Sequence, residues 1–375
     1  IIARNYGAKN EDQLRKSVAA TAIIGGILSL FVIFIGAVGL FPLLQFLGTP
    51  SAIVSQSYLY ISTIVNGVAV TFAYNLCAGL LRAVGDSIAA LYFLIIAAVL
   101  NILLDLYFIT QLHLGVQSAG IATIIAQGIS ALLCLLYIRK KVPFLLPHRK
   151  DFVWDKELYQ DLLSQGLAMG LMTSIVSIGT VILQSAINQL GTTIISAQVA
   201  ARRIMSFAVL PITAIASSIT TFISQNFGAE QFQRIKKGVT IANLLSWAWS
   251  VLVAALLFFT SPSLTSFISG STNPDLIANA SLYLQISSCF YPILASLIIL
   301  RNALQGMGKK LTPLTSSFIE LFGKILFVLL IIPHTGYIGV ILCEPLIWVP
   351  MTLQLWFTYH KASHQLLASS TSTIP

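Results

Sequence analysis

Ten stretches of this chain are each long and apolar enough to cross a bilayer as a helix, which leaves few ways to fold it. They run over about 18–40, 56–80, 88–110, 118–138, 162–188, 193–222, 236–260, 277–300, 311–332 and 337–359. A helix needs about 20 residues to cross about 30 Å of hydrocarbon. The first stretch is long and further spans follow it, which a cleaved signal peptide does not do. Strand-like alternation is scarce, against an outer-membrane barrel with its strands of about 10 residues. Charge supports the same reading: Lys, Arg, Asp and Glu together make 9% of the chain, against about 25% in soluble domains. Four Cys in 375 residues do not make a disulfide framework. An all-α polytopic membrane protein is expected.

The basic residues orient it. Connections numbered alternately put Arg4, Lys9, Arg15, Lys16, Arg82, Arg139, Lys140, Lys141, Arg149, Lys150, Lys156, Arg234, Lys236, Lys237, Arg301, Lys309, Lys310 and Lys361 on one side. Arg202, Arg203 and Lys324 fall within spans, and the connections on the other side carry none. This is a strong positive-inside asymmetry, and both ends are expected in the cytoplasm. The net charge of +9 then belongs to loops beside anionic lipid, and no nucleic-acid partner is expected.

An internal repeat organises the spans. Asn5, Gly7, Ala8, Lys16 and Val18 recur 221 residues later as Asn226, Gly228, Ala229, Lys237 and Val239. With small drift, Pro50 meets Pro274, Tyr58-Leu59 meets Tyr283-Leu284, and LLRAVGDS (80–87) meets ALQGMGKK (303–310). Two spans precede the second copy and none the first, and the chain begins with Ile. The expectation is therefore a piece lacking its first two spans, about 60 residues or more. The whole would be two six-helix lobes related by an axis along the membrane normal, with ten of twelve helices present. Residues 1–138 form the first lobe and 159–360 the second. Residues 139–158 are a cytoplasmic linker, where Pro143 and Pro147 limit helix formation, and 361–375 a disordered tail.

YNLCAGLLRAVGDS (74–87), NILLD (101–105), GVQSAGIATIIAQ (115–127), SQNFGAEQ (224–231) and ELFGKILF (320–327) resemble the multidrug and toxic compound extrusion (MATE) family over essentially the whole chain. The resemblance implies a secondary antiporter in the bacterial plasma membrane, working as a monomer. It would expel organic cations and other amphipathic drugs in exchange for H⁺ or Na⁺ through a cleft between two lobes, with no other cofactor. The Asn101-x-x-x-Asp105 pattern resembles the family's cation site in the N-terminal lobe, with Thr123 matching a Thr of the next helix. Two departures matter. The site's acidic partner on the family's first helix would fall in the segment expected to be missing. Where some members carry Asn before the Gly of G-x-x-R, this chain has Ala78, with Asn75 about one turn earlier. Acidic residues of the family's seventh and tenth helices also lack counterparts within 162–188 and 277–300.

The residues themselves carry part of this. A charge at mid-membrane costs roughly 2.5–3.5 kcal/mol or more unless paired or hydrated. Asp105 shares a helix face with Asn101 and has no base near it in sequence. It can take a proton, or shed it to hold Na⁺ among amide and hydroxyl oxygens. The bland alternative is a solvated Asp at a helix end. Glu320 and Lys324 stand i, i+4 in the favourable order for an ion pair; the pair either neutralises itself or lines a substrate cleft. Glu344 has Arg202 or Arg203 as possible partners across helices, or attracts a cationic drug. Pro211 and Pro292 fall mid-span, as hinges or as static kinks. Gly166 and Gly170 have a spacing that permits close helix approach, and Gln184, Asn188 and Gln198 read as interhelical glue.

No Gly-rich phosphate loop with a following Lys is present, so ATP-driven transport is disfavoured. No nucleophile–base pair marks an enzyme, and His360 and His364 on the tail are a poor metal site. A lipid-linked oligosaccharide flippase with the same two-lobe plan is the alternative. It would want a strongly cationic cleft for pyrophosphate, and the intramembrane charges here balance.

Overall fold

The computed structural model describes residues 1–46, 51–112 and 114–371; Pro50 of the repeat lies outside them. Their elements are α1 (Ile2–Gly7), α2 (Glu11–Phe46), α3 (Ser51–Asn66), α4 (Val68–Ala83), α5 (Ser87–Thr110) and α6 (Gln117–Lys141). There follow α7 (Lys156–Asn188), α8 (Thr192–Gly228), α9 (Phe232–Ser269), α10 (Pro274–Cys289), α11 (Tyr291–Gly306), α12 (Leu311–Leu326), α13 (Ile332–Thr335) and α14 (Tyr337–Thr371). A π-turn, Phe327–Ile331, joins α12 to α13. Eight spans by length and apolarity, or ten if each bent pair counts as one, match the expected ten. Helix is what hydrocarbon demands, because it bonds every backbone N–H and C=O within its own segment.

The bent pairs are α3–α4, turned by 45° at Gly67, and α10–α11, turned by 57° at Phe290. All four helices have 16 residues. Pro292, in the first turn of α11, lacks the N–H that would have bonded across the break, as expected of a kink. Its repeat counterpart has no proline, and the bend there was not foreseen. At Gly67 a Cβ would come within 2.3 Å of Ile124 Cδ1, so the bare glycine lets α6 sit in the elbow. Pro211 differs: α8 runs through it as one helix, and no break marks it as a hinge.

The repeat extends to the backbone. After α1, Lys9 takes φ 55° and Asn10 N–H bonds Asn5 O at 3.0 Å. At the matching place Glu230 takes φ 57° and Gln231 N–H bonds Asn226 O at 2.8 Å. The ends of α4 and α11 share a second closure. Gly85 (φ 94°) bonds Arg82 O, and Gly308 (φ 77°) bonds Gln305 O. These left-handed turns close the last carbonyls of each helix.

The chain divides into two compact units, Ile1–Leu163 and Ser164–Pro375. The division falls inside α7, later than the linker expected at 139–158. The reason is packing within the first unit. Leu145 joins Leu14 and Ile138 in its core, Tyr6 stacks on Phe144, and the buried Asp151 accepts from His148 N at 2.7 Å and lies 3.7 Å from Arg15 Nε. At the other end α14 continues to Thr371. The disordered tail expected from 361 is helix as far as 371, and 372–375 lie outside the described residues. Gly166 and Gly170 have nothing within 4 Å of an added Cβ, so they serve no close helix approach.

Gly306 does. An added Cβ would meet Thr220 O at 2.9 Å and Ile223 Cγ2 at 3.0 Å. Gly306→Ala is expected to destabilise the second unit by about 1–3 kcal/mol through overpacking, read as a lower midpoint of heat denaturation in detergent.

Candidate functional site

In the first unit a row of polar side chains ties α6 to its neighbours. Gln117 Nε2 donates to Thr63 Oγ1 at 3.1 Å, Asn101 Nδ2 donates to Thr123 Oγ1 at 3.2 Å, and Thr71 Oγ1 donates to Gln127 Oε1 at 2.6 Å. Thr63 and Thr71 flank the Gly67 elbow, and Thr123 precedes the Ile124 that fills it. Such pairs satisfy amides and hydroxyls that have no water inside hydrocarbon. The Asn101–Thr123 bond brings together two of the expected site residues. Asp105, one turn along α5 from Asn101, is half-buried, and its Oδ1 is buried with no hydrogen-bond donor among the described residues. Asn75 does not join them: it is exposed and donates to Thr71 O at 2.9 Å on its own helix. Gln117 and Gln127 were missed as participants. The i, i+4 spacing of Thr123 and Gln127 on one face of α6 was the available signal.

In the second unit four charges from three helices form one connected cluster. Lys324 of α12, 2% exposed, donates to Glu320 Oε1 at 2.9 Å on its own helix and lies 3.2 Å from Glu344 Oε1 of α14. Arg202 Nη2 of α8 reaches the same Glu344 oxygen at 3.3 Å. Tyr283 O–H of α10 donates to Glu344 Oε2 at 3.4 Å. Two acids and two bases balance, as a dry interior requires. The ion-pair readings of Glu320–Lys324 and of Glu344 thus meet in one network, of which sequence spacing reported only the i, i+4 part, and neither Glu320 nor Lys324 is among the residues lining the cleft described next. Arg202 rather than Arg203 supplies the base for Glu344; Arg203 is exposed. The glue residues divide. Gln184 bonds Asn188 along α7 at 2.9 Å, and Gln198, 1% exposed, accepts from Tyr337 O–H across helices at 2.9 Å.

Beside this cluster α8, α11 and α14 enclose a cleft of about 420 Å³. Its walls are mostly apolar, with Met205, Val209, Leu294 and Trp348 among them, and Arg202 and Glu344 stand at its polar end. The volume suits a drug-sized molecule.

Ten apolar spans, charges paired across helices and a cleft inside one unit define a multi-pass helical membrane protein. The MatE family model matches residues 1–107 and 168–330, and the chain belongs to that family. It is 25% identical over 342 residues to the probable multidrug resistance protein YoeA of Bacillus subtilis, covering 89% of this chain and 73% of that protein. It is 28% identical over 291 residues to the probable multidrug resistance protein YpnP of the same organism, covering 76% of this chain and 64% of that protein. A FAD transporter of Shewanella oneidensis is 25% identical over 309 residues, with 78% and 66% covered. The chain thus spans about two thirds of the length of these relatives. Among solved structures, MATE in complex with MaL6 superposes with a TM-score of 0.90 at 20% identity, over 98% of this chain and 83% of that one. The outward-facing conformation of a multidrug resistance MATE family transporter of the MOP superfamily gives 0.87 at 20% identity, over 97% and 82%.

Removing one member of the cluster strands the rest. Lys324→Met leaves Glu320 and Glu344 short of a cation and is expected to cost about 3–5 kcal/mol. Lys324→Met with Glu320→Gln restores the balance and should recover much of that loss. The yield and thermal midpoint of monodisperse protein in detergent read both.

Proposed function

We propose that this protein is a secondary antiporter that exports organic cations and other amphipathic drugs in exchange for H⁺ or Na⁺ by alternating access. Asp105 is its coupling carboxylate, and Asn101 and Thr123 are the neighbours that complete the ion site. The supporting observation is the buried Asp105 Oδ1 without a donor, beside the Asn101–Thr123 hydrogen bond. Glu320 and Glu344, the other acids within spans, already have bases. Asp105 is thus the intramembrane carboxylate with capacity left for a proton or a metal ion. Membership of the MatE family and the names of the two Bacillus relatives favour drug efflux as the output.

Coupling follows from differential affinity. An ion moves the conformational equilibrium only as far as it binds one state better than the other. Neutralising Asp105 removes the cost of an unpaired charge on α5, and so favours whichever helix packing closes that site from water. The basic connections support a plasma-membrane orientation with both ends in the cytoplasm, and in an antiporter an ion entering down its gradient drives the drug outward.

The test uses proteoliposomes loaded with a fluorescent organic cation, with efflux driven by a pH step or a Na⁺ step. Wild type is expected to respond to one gradient, which names the ion. Asp105→Asn is expected to lose gradient-driven efflux by tenfold or more, about 1.4 kcal/mol per decade, while still binding the dye. Full efflux from the Asn variant would move the coupling role to Glu320 or Glu344.

A further inference from the structure

We infer that the cleft of the second unit holds the acidic head of an amphipathic organic anion, such as a carboxylate on an aromatic body, with Arg202 as the anion-binding group. The inference rests on the transporter reading and, of the cargo proposed there, assigns this cleft to amphipathic anions rather than to organic cations.

The charges at the polar end of the cleft are unequally available. Glu344 has both oxygens engaged, Oε1 by Arg202 and Lys324 and Oε2 by Tyr283, and its side chain is 12% exposed. Lys324, at 2% exposure, is out of reach. Arg202 is 31% exposed. Its guanidinium carries five N–H groups; Nη2 meets Glu344, and Nε is buried with no acceptor among the described residues. The cluster as a whole is balanced, so what this end offers the cleft is the half-exposed guanidinium of Arg202, whose outer N–H groups are its accessible donors. A cation entering here would meet Arg202 first and would have to displace two bases from Glu344. A carboxylate would find the charged N–H groups on the exposed edge of the guanidinium, at the polar end of an apolar groove.

The other polar lining groups do not compete for this role. Ser206 Oγ donates to Arg202 O at 2.8 Å, and Thr213 Oγ1 donates to Leu210 O at 2.8 Å, so their protons are already committed within α8. The remaining lining, including Trp348, Leu294 and Val209, is apolar and suits a ring or hydrocarbon body. The cleft thus has one anion-seeking pole and an apolar length, and its ligand should have the complementary shape.

The probes are three pyrene compounds of similar size: pyrenebutyrate, the neutral pyrenebutanol and a cationic pyrenebutyl-trimethylammonium. Binding to the purified protein in neutral detergent is read by fluorescence anisotropy, with no ion gradient. Pyrenebutyrate is expected to bind about tenfold tighter than pyrenebutanol, the scale of one charged hydrogen-bonded pair. Arg202→Gln should erase that preference. Arg202→Lys keeps a charge beside Glu344, guards against misfolding and should lower the preference without abolishing binding. Leu294→Trp fills the cleft and should weaken all three probes together, which places them there. Tighter binding of the cationic probe to wild type would overturn the inference, as would an anion preference that survives Arg202→Gln. Failure here leaves Asp105-dependent efflux standing, so the two readings fail separately.

Discussion

Hydrocarbon offers no water to a polar group, and most of this structure follows from that shortage. Backbone amides are satisfied inside helices. Side-chain amides and hydroxyls find partners across helices, as Thr71 and Gln127 do. Charges are harder, because a lone one costs several kcal/mol at depth. The second unit answers by joining α8, α12 and α14 through Glu344, whose carboxylate serves Arg202 and Lys324 at once. Those contacts bring distant parts of the sequence, 142 residues apart in one case, to a single point. Among the described residues, the first unit shows no such cluster around Asp105, whose Oδ1 is left without a donor.

The repeat shows how much of the architecture is carried by backbone conformation. Lys9 and Glu230 are unlike in charge, yet both take a left-handed φ at the same place after a helix. Gly67 and Phe290 share no chemistry, yet each stands at a bend between two helices of 16 residues. One bend has a proline beside it and the other a glycine that admits Ile124. Different side chains meet the same geometric requirement, so a repeat weak in identity is clear in structure.

What could be read from the sequence was what depends on local spacing. Span number follows from apolar length, the Glu320–Lys324 pair from i, i+4 geometry, and the closeness of Asn101 to Asp105 from the same rule. Sequence left open what depends on which helix faces which. It offered Arg202 and Arg203 equally to Glu344, and only the rotation of α8 selects the first, with Arg203 turned outward. It put Asn75 in the ion site, whereas the amide turns back to Thr71 O. Pro211 looked as capable of breaking a helix as Pro292, but α8 continues through it. The prolines of 139–158 do keep long helix out, but the packing of that segment and the helical course of the tail were not legible. Basic charge and two prolines marked 139–158 as a connection without showing that Leu145 and Asp151 are buried against neighbours distant in sequence, and the polar tail expected to be disordered continues α14.

The central claim is that Asp105 changes protonation or ion occupancy while Glu320 and Glu344 stay ionised in their pairs. Infrared difference spectroscopy of the reconstituted protein tests this directly, because the carboxylic acid C=O stretch appears only when a carboxyl is protonated. Spectra between mildly acidic and mildly alkaline buffer, with and without Na⁺, would be compared for wild type, Asp105→Asn and Glu344→Gln. The account predicts a carboxylic acid band that is lost in Asp105→Asn and retained in Glu344→Gln. A band that persists in Asp105→Asn and disappears with Glu344→Gln would contradict it.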